Sequence, residues 1–215
     1  SPLPTLRGRR FRPDLVRGHS RTARGALQPR TVLHARSADT FARLADATRK
    51  AAQEKLGRPP VLVLQLTHSG RYSRPVGLPA PLIAHRSPVL DPKHNLPKDY
   101  PLVTDDSLDR LQDAFIAAAK LAAKAGFDGI DVKACHRYLV SELLASHTRE
   151  GRYGGSFENR TRFLREVLAR IRQEVPDVFI TTRMNAYDAI PHPFGWGMKQ
   201  DGSLEPDLTD PLRLA

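Results

Sequence analysis

Apolar residues recur along this chain with two periods, and the switches between them lay out its elements. From Ser37 to Leu56 the residues Phe41, Leu44, Ala45, Ala51, Ala52 and Leu56 follow helical spacing, and Gly57 with Pro59 and Pro60 supplies the stop. Val61 to Thr67 is nearly continuous in apolar residues, as a parallel strand buried on both faces would be, and Gln65 is its polar exception. Leu108, Leu111, Phe115, Ala118, Leu121, Ala122 and Ala125 mark a second helix, with Thr104 as its cap and Asp105 and Asp106 at its positive end. In the next strand, 128–134, Ile130 and Val132 alternate with Asp131 and Lys133. Leu139, Leu143 and Leu144 predict a short helix. Ser156 then caps a long one, with Asn159 reaching back and Leu164, Val167, Leu168, Ile171 and Val175 as its stripe. A third strand covers 178–184 and ends with Arg183 near the same sheet edge as Lys133.

Strands that alternate with helices predict an α/β chain with a parallel sheet, whose ligands bind at the carboxyl ends of the strands. Around these elements the pattern is weak. Residues 1–30 show no sustained period and read as a basic, irregular segment; Thr31 to His34 reads as a short strand or the end of a loop. The stretch from 73 to about 103 is rich in proline and reads as a long loop, and no element is predicted between Asp188 and Ala215. The expected organisation is therefore 1–30 as a basic segment and 31–215 as part of one α/β domain.

Charge changes this picture little. The chain of 215 residues carries a formal +11, but residues 1–30 hold eight Arg and one Asp, so the remaining 185 carry only +4. Arg7, Arg9, Arg10, Arg12 and Arg17 raise nucleic acid as a partner, but little aromatic interleaving and no reading module accompany them, so a solvated tail is the preferred reading. No apolar run approaches the length of a membrane span and no secretory leader is visible, which leaves the cytoplasm as the expected location. The single Cys135 excludes a disulfide framework within the chain and reads as a small buried hydrophobe. His85, Asp91 and His94 are spaced too irregularly to predict a metal site.

The candidate chemistry gathers at the strand ends. Gln65 is a strand-face amide able both to donate and to accept; Lys133, His136 and Tyr138 follow one another across the end of the second strand, and Arg183 closes the third. Each has a structural alternative: a backbone partner for Gln65, an acidic partner for Lys133, a salt bridge to Asp131 for Arg183, a core role for His136 and a loop anchor for Tyr138.

Three runs carry a family resemblance: 65–71 (QLTHSGR), 125–139 (AGFDGIDVKACHRYL) and 152–160 (RYGGSFENR) continuing through Arg162 and Phe163. Together they resemble the old yellow enzyme family of FMN-dependent NAD(P)H oxidoreductases. The resemblance implies a (β/α)8 barrel of which 61–67, 128–134 and 178–184 are strands three to five. It also implies FMN as cofactor, NADH or NADPH as electron donor, and hydride transfer to an activated alkene or a related small-molecule acceptor. By the same resemblance Gln65 and Arg183 contact the flavin, Lys133 and His136 bind the substrate carbonyl oxygen, and Tyr138 gives the proton. Many members have histidine where this chain has Lys133. His68 and Arg71 would fix the loop over the site, and Gly154, Gly155 and Arg160 gain meaning only through the motif. Strands three to five are fewer than half of such a barrel, so a missing barrel segment or self-association is expected to complete it, and an inactive fragment or association module is the alternative.

Overall fold

The structure, a computed structural model, describes residues 18–21, 27–30, 35–74 and 78–215. Its organising layer is a three-stranded parallel sheet in the order β3 (Val63–Leu66), β4 (Gly129–Ala134) and β5 (Phe179–Met184). Gln65 pairs with Asp131, which pairs with Thr181, and Lys133 pairs with Arg183. Because side chains alternate along a strand, this register puts Gln65, Asp131, Lys133, Thr181 and Arg183 on one face, while Leu64, Leu66, Ile130, Val132 and Ala134 face the helices. β4 is buried along its whole length, whereas Val63 on β3 and Phe179 on β5 are 43% and 44% exposed.

The helices cover the apolar face. α2 (Asp105–Lys124) is capped by Thr104, whose side chain accepts the Ser107 N–H at 3.2 Å, and it buries Leu108, Leu111, Phe115, Ala118 and Ala122. α4 (Phe157–Glu174) is capped by Ser156, which accepts the Asn159 N–H at 3.3 Å, and it buries Phe163, Leu164, Val167 and Ile171. Phe163 meets Phe115 edge to face across the two helices, with ring centres 5.7 Å apart. α3 (Leu139–Leu144) is fully buried against α4 and β4. α1 (Ala35–Leu56) lies further out: Phe41 packs on Phe127, and Arg49 bonds Asp128 at 2.9 Å and the Gly126 carbonyl at 2.6 Å. Among the described residues no helix is long and apolar enough to cross a membrane.

Several expectations need correction. Part of the segment read as irregular forms two antiparallel strands, β1 (Gly18–Arg21) and β2 (Leu27–Arg30); with Leu27 as their one apolar residue they show no alternation. Thr31 to His34, read as a short strand or the end of a loop, and Arg7, Arg9, Arg10, Arg12 and Arg17 lie outside the described residues. α1 begins at Ala35, so Ser37 lies inside the helix rather than at its cap. The Asn159 side chain turns to the Gly151 carbonyl at 3.5 Å instead of closing a capping box. The end of the chain also holds a short helix, α5 (Thr209–Leu214), joined to α4 through Arg160, which bonds Asp210 at 2.7 Å.

Candidate functional site

The site is built where the polar sheet face meets the carboxyl ends of β3, β4 and β5. Gln65 is half-buried on β3 and its amide donates to Asp131 Oδ2, so its bond runs to a carboxylate rather than to backbone. Asp131 Oδ1 also accepts from Thr181 Oγ1 at 3.3 Å, so both oxygens of the carboxylate proposed as an Arg183 partner have other donors. Arg183 is exposed on β5 directly beside the buried Lys133.

Lys133 is 6% exposed, and its ammonium stands 3.8 Å from the centre of the Tyr138 ring, a cation held against an aromatic face. Tyr138 in turn packs against Tyr72, ring centres 5.8 Å apart, and Tyr72 meets His94 edge-on at 4.9 Å. The long loop thus supplies the wall behind Tyr138.

Between Lys133 and Tyr138 the chain turns sharply, with φ of 62° at His136 and 55° at Arg137, a left-handed conformation uncommon for residues with side chains. The turn leaves the imidazole of His136 exposed while its backbone N–H donates to Asn185 Oδ1 at 3.3 Å. Partial burial pushes the His136 imidazole below its usual range, and the Lys133 and Arg183 cations push it the same way. It is therefore a neutral donor at neutral pH. Cys135 is buried, and burial raises its thiol above the ordinary range, as suits a packing residue rather than a nucleophile.

The loop after β3 is held by charge. His68 Nδ1 accepts the Gly70 N–H at 3.0 Å, and the Leu139 N–H donates to the His68 carbonyl at 3.1 Å. Gly70 has φ of 54°, and a Cβ there would stand 2.6 Å from the Leu139 nitrogen, so the turn needs glycine. Arg71 is buried and reaches three partners: Glu142 on α3, at 2.8 Å from Nε; Asp91; and the His85 carbonyl at 3.0 Å. Burial pushes the Glu142 carboxyl up to about 7, against the opposing pull of Arg71 and of the Ala84 N–H at 3.2 Å. His85 is also buried, which pushes it down to about 4; its Nδ1–H donates to the Arg86 carbonyl at 2.9 Å.

The 152–160 motif does structural work. A Cβ on Gly154 would stand 2.3 Å from the Arg149 carbonyl oxygen, and Arg160 bonds the carbonyls of Leu144 at 2.6 Å and Gly155 at 3.0 Å while lying over the buried Trp196. Trp196 donates from its backbone to Asp188 at 3.1 Å and from its ring to the Asn185 carbonyl at 3.1 Å. Asn185, which the sequence reading passed over, therefore joins the turn after β4 to the segment after β5. Its place one residue past a predicted strand is the signal that could have found it. No group of three or more His, Cys, Asp or Glu among the described residues is arranged to hold a metal.

Comparison with known proteins identifies the family. Residues 36–194 match the model of the NADH:flavin oxidoreductase / NADH oxidase family. NADPH dehydrogenase of Clostridium acetobutylicum is 40% identical over 131 residues, 59% of this chain and 37% of that protein. N,N-dimethylglycine/sarcosine dehydrogenase of Chromohalobacter salexigens is 34% identical over 142 residues, 65% of this chain and 19% of that protein. Among solved structures, a 2-naphthoyl-CoA reductase complex superimposes with a TM-score of 0.60 at 28% identity, over 75% of this chain and 25% of that one. The chain thus spans well under half the length of the relatives it matches, and its three strands are a portion of their (β/α)8 barrel. FMN and NAD(P)H are the cofactors that go with this family. With the match running through all three strands and the helices between them, the chain belongs to the NADH:flavin oxidoreductase / NADH oxidase family, the old yellow enzyme group that its motifs resemble.

Proposed function

We propose that the protein of which this chain forms at least a part is an FMN-dependent oxidoreductase that passes hydride from NADH or NADPH to an electron-poor small molecule such as an activated alkene. One observation carries the reading: a family member places an amide, two cations, an imidazole and a phenol at the carboxyl end of one parallel sheet.

The donor set suits a flavin. Gln65 offers an amide to the pyrimidine edge, and Arg183, on the same face and open to solvent, offers a cation that favours the electron-rich reduced form. Bound there, FMN would supply the two-electron chemistry that no side chain of the chain can perform. His136, neutral and exposed, donates a hydrogen bond to a substrate oxygen, and Lys133 adds positive charge where that oxygen gains electron density. The phenol of Tyr138 holds the proton that the substrate carbon takes up, and the Lys133 ammonium over its ring holds the ring in place.

Titration of the chain with FMN, followed by anaerobic bleaching with NADH and NADPH and reoxidation by a panel of enones, tests this. Saturable one-to-one binding with bleaching is expected. A folded chain that takes up no FMN would defeat the reading for this chain.

A further inference from the structure

The polar sheet face carries one carboxylate, that of Asp131 at the centre of the middle strand, and it is 9% exposed. We infer that Asp131 is a positioning residue that fixes which way the Gln65 amide faces, and so sets the hydrogen-bonding polarity that β3 presents to the pyrimidine edge of a flavin; the cofactor half of this inference rests on the function proposed above.

An amide is nearly the same shape in its two flipped orientations, so its direction is set by its partners. A carboxylate can only accept hydrogen bonds, and the end of Gln65 that meets Asp131 Oδ2 must therefore be the NH2. The carbonyl oxygen is turned the other way, and one N–H stays uncommitted to this bond. That pairing of acceptor and donor complements a pyrimidine edge, where an imide N–H lies between two carbonyl oxygens. Asp131 is itself held: Thr181 Oγ1 donates to its second oxygen at 3.3 Å, so the clasp runs from β3 through β4 to β5. An asparagine at 131 would keep the shape but could either accept from or donate to Gln65, and the direction would no longer be enforced.

Two measurements on the full chain test the inference. In cofactor-free protein labelled with 15N, the side-chain amide resonances of Gln65, assigned with Gln65→Ala, are expected to move as Asp131 is protonated and to move again in Asp131→Asn. Indifference of those resonances to both changes overturns the lock, and the titration of the wild-type chain decides this even if the variant does not fold. The second measurement compares FMN with its N3-methyl derivative, which lacks the imide donor. Wild type is expected to prefer FMN about five- to thirtyfold and Asp131→Asn less than about threefold. In a Gln65→Ala background, the Asp131 substitution should then change nothing further, which a general structural role would not produce. Wild type that binds both flavins equally overturns the cofactor half. Wild type that binds neither rejects the flavin reading itself, while the amide resonances still decide the lock.

Discussion

Replacing Arg71 by methionine removes the cation that ties the loop after β3 to Glu142 of α3, and the size of the effect follows from what remains. The Arg71 side chain is fully buried and that of Glu142 is 2% exposed, so the carboxylate loses its counter-charge with almost no access to water. Breaking one side of such a buried pair costs about 3–5 kcal/mol. At about 2–4 °C for each kcal/mol in a chain of this size, the midpoint of thermal unfolding should fall by roughly 6–20 °C. The deficit depends on pH in a definite sense. Burial already raises the Glu142 carboxyl to about 7 with Arg71 in place, and removing Arg71 raises it further, so the deficit of the variant is smallest below about pH 7 and grows as pH rises above it. Circular dichroism melts at pH 5 and pH 8 should therefore show the larger loss at pH 8. Replacing both partners, as Arg71→Met with Glu142→Leu, should recover most of the loss, because the fully buried carboxylate is gone and Asp91, 15% exposed, keeps Arg86 at 3.8 Å. A single variant that melts within about 2 °C of wild type at pH 8, or a double variant no better than the single, would refute the argument.

Other expectations can be checked alongside. Tyr138→Phe keeps the ring beneath Lys133 but not the proton, so acceptor turnover should fall by about 10²–10⁴-fold while flavin bleaching by NAD(P)H is unchanged, as stopped-flow would show. His85 stays neutral in the fold down to about pH 4, whereas the unfolded imidazole takes up its proton near 6.5; stability should drop by roughly 3 kcal/mol as pH falls through that window, and urea titrations of His85→Phe should show a shallower decline. Gly70→Ala forces a Cβ to within 2.6 Å of the Leu139 nitrogen in a left-handed backbone, and should lower stability by at least about 1–2 kcal/mol in the same titrations.

The parts of this fold legible in the sequence are those whose neighbours are close in sequence. The stripes Leu108 to Ala122 and Leu164 to Ile171 announce α2 and α4, and the caps Thr104 and Ser156 act as their positions suggest. The alternation of Ile130 and Val132 with Asp131 and Lys133 places two site residues on one face before any contact is known. What stayed hidden is set by pairings across distant segments. Nothing local in Arg71 says that its partner is Glu142, nor in Arg160 that it ends at Asp210. The sequence offers Asp131 as a possible mate for Arg183, whereas the strand register hands its oxygens to Gln65 and Thr181. Charge type could be read along the chain; the choice among several opposite charges needed the register.

The turn at His136 and Arg137 has a consequence for anyone who engineers this protein. Two successive residues with side chains sit where glycine would be easier to accommodate, at a cost of about 1–2 kcal/mol each. A search for heat tolerance would be drawn to glycine at both positions. At 137 that exchange would leave the imidazole present but slacken the backbone that aims it, and at 136 it would delete the imidazole, so thermal tolerance would be traded against the substrate contact proposed for His136 within two residues.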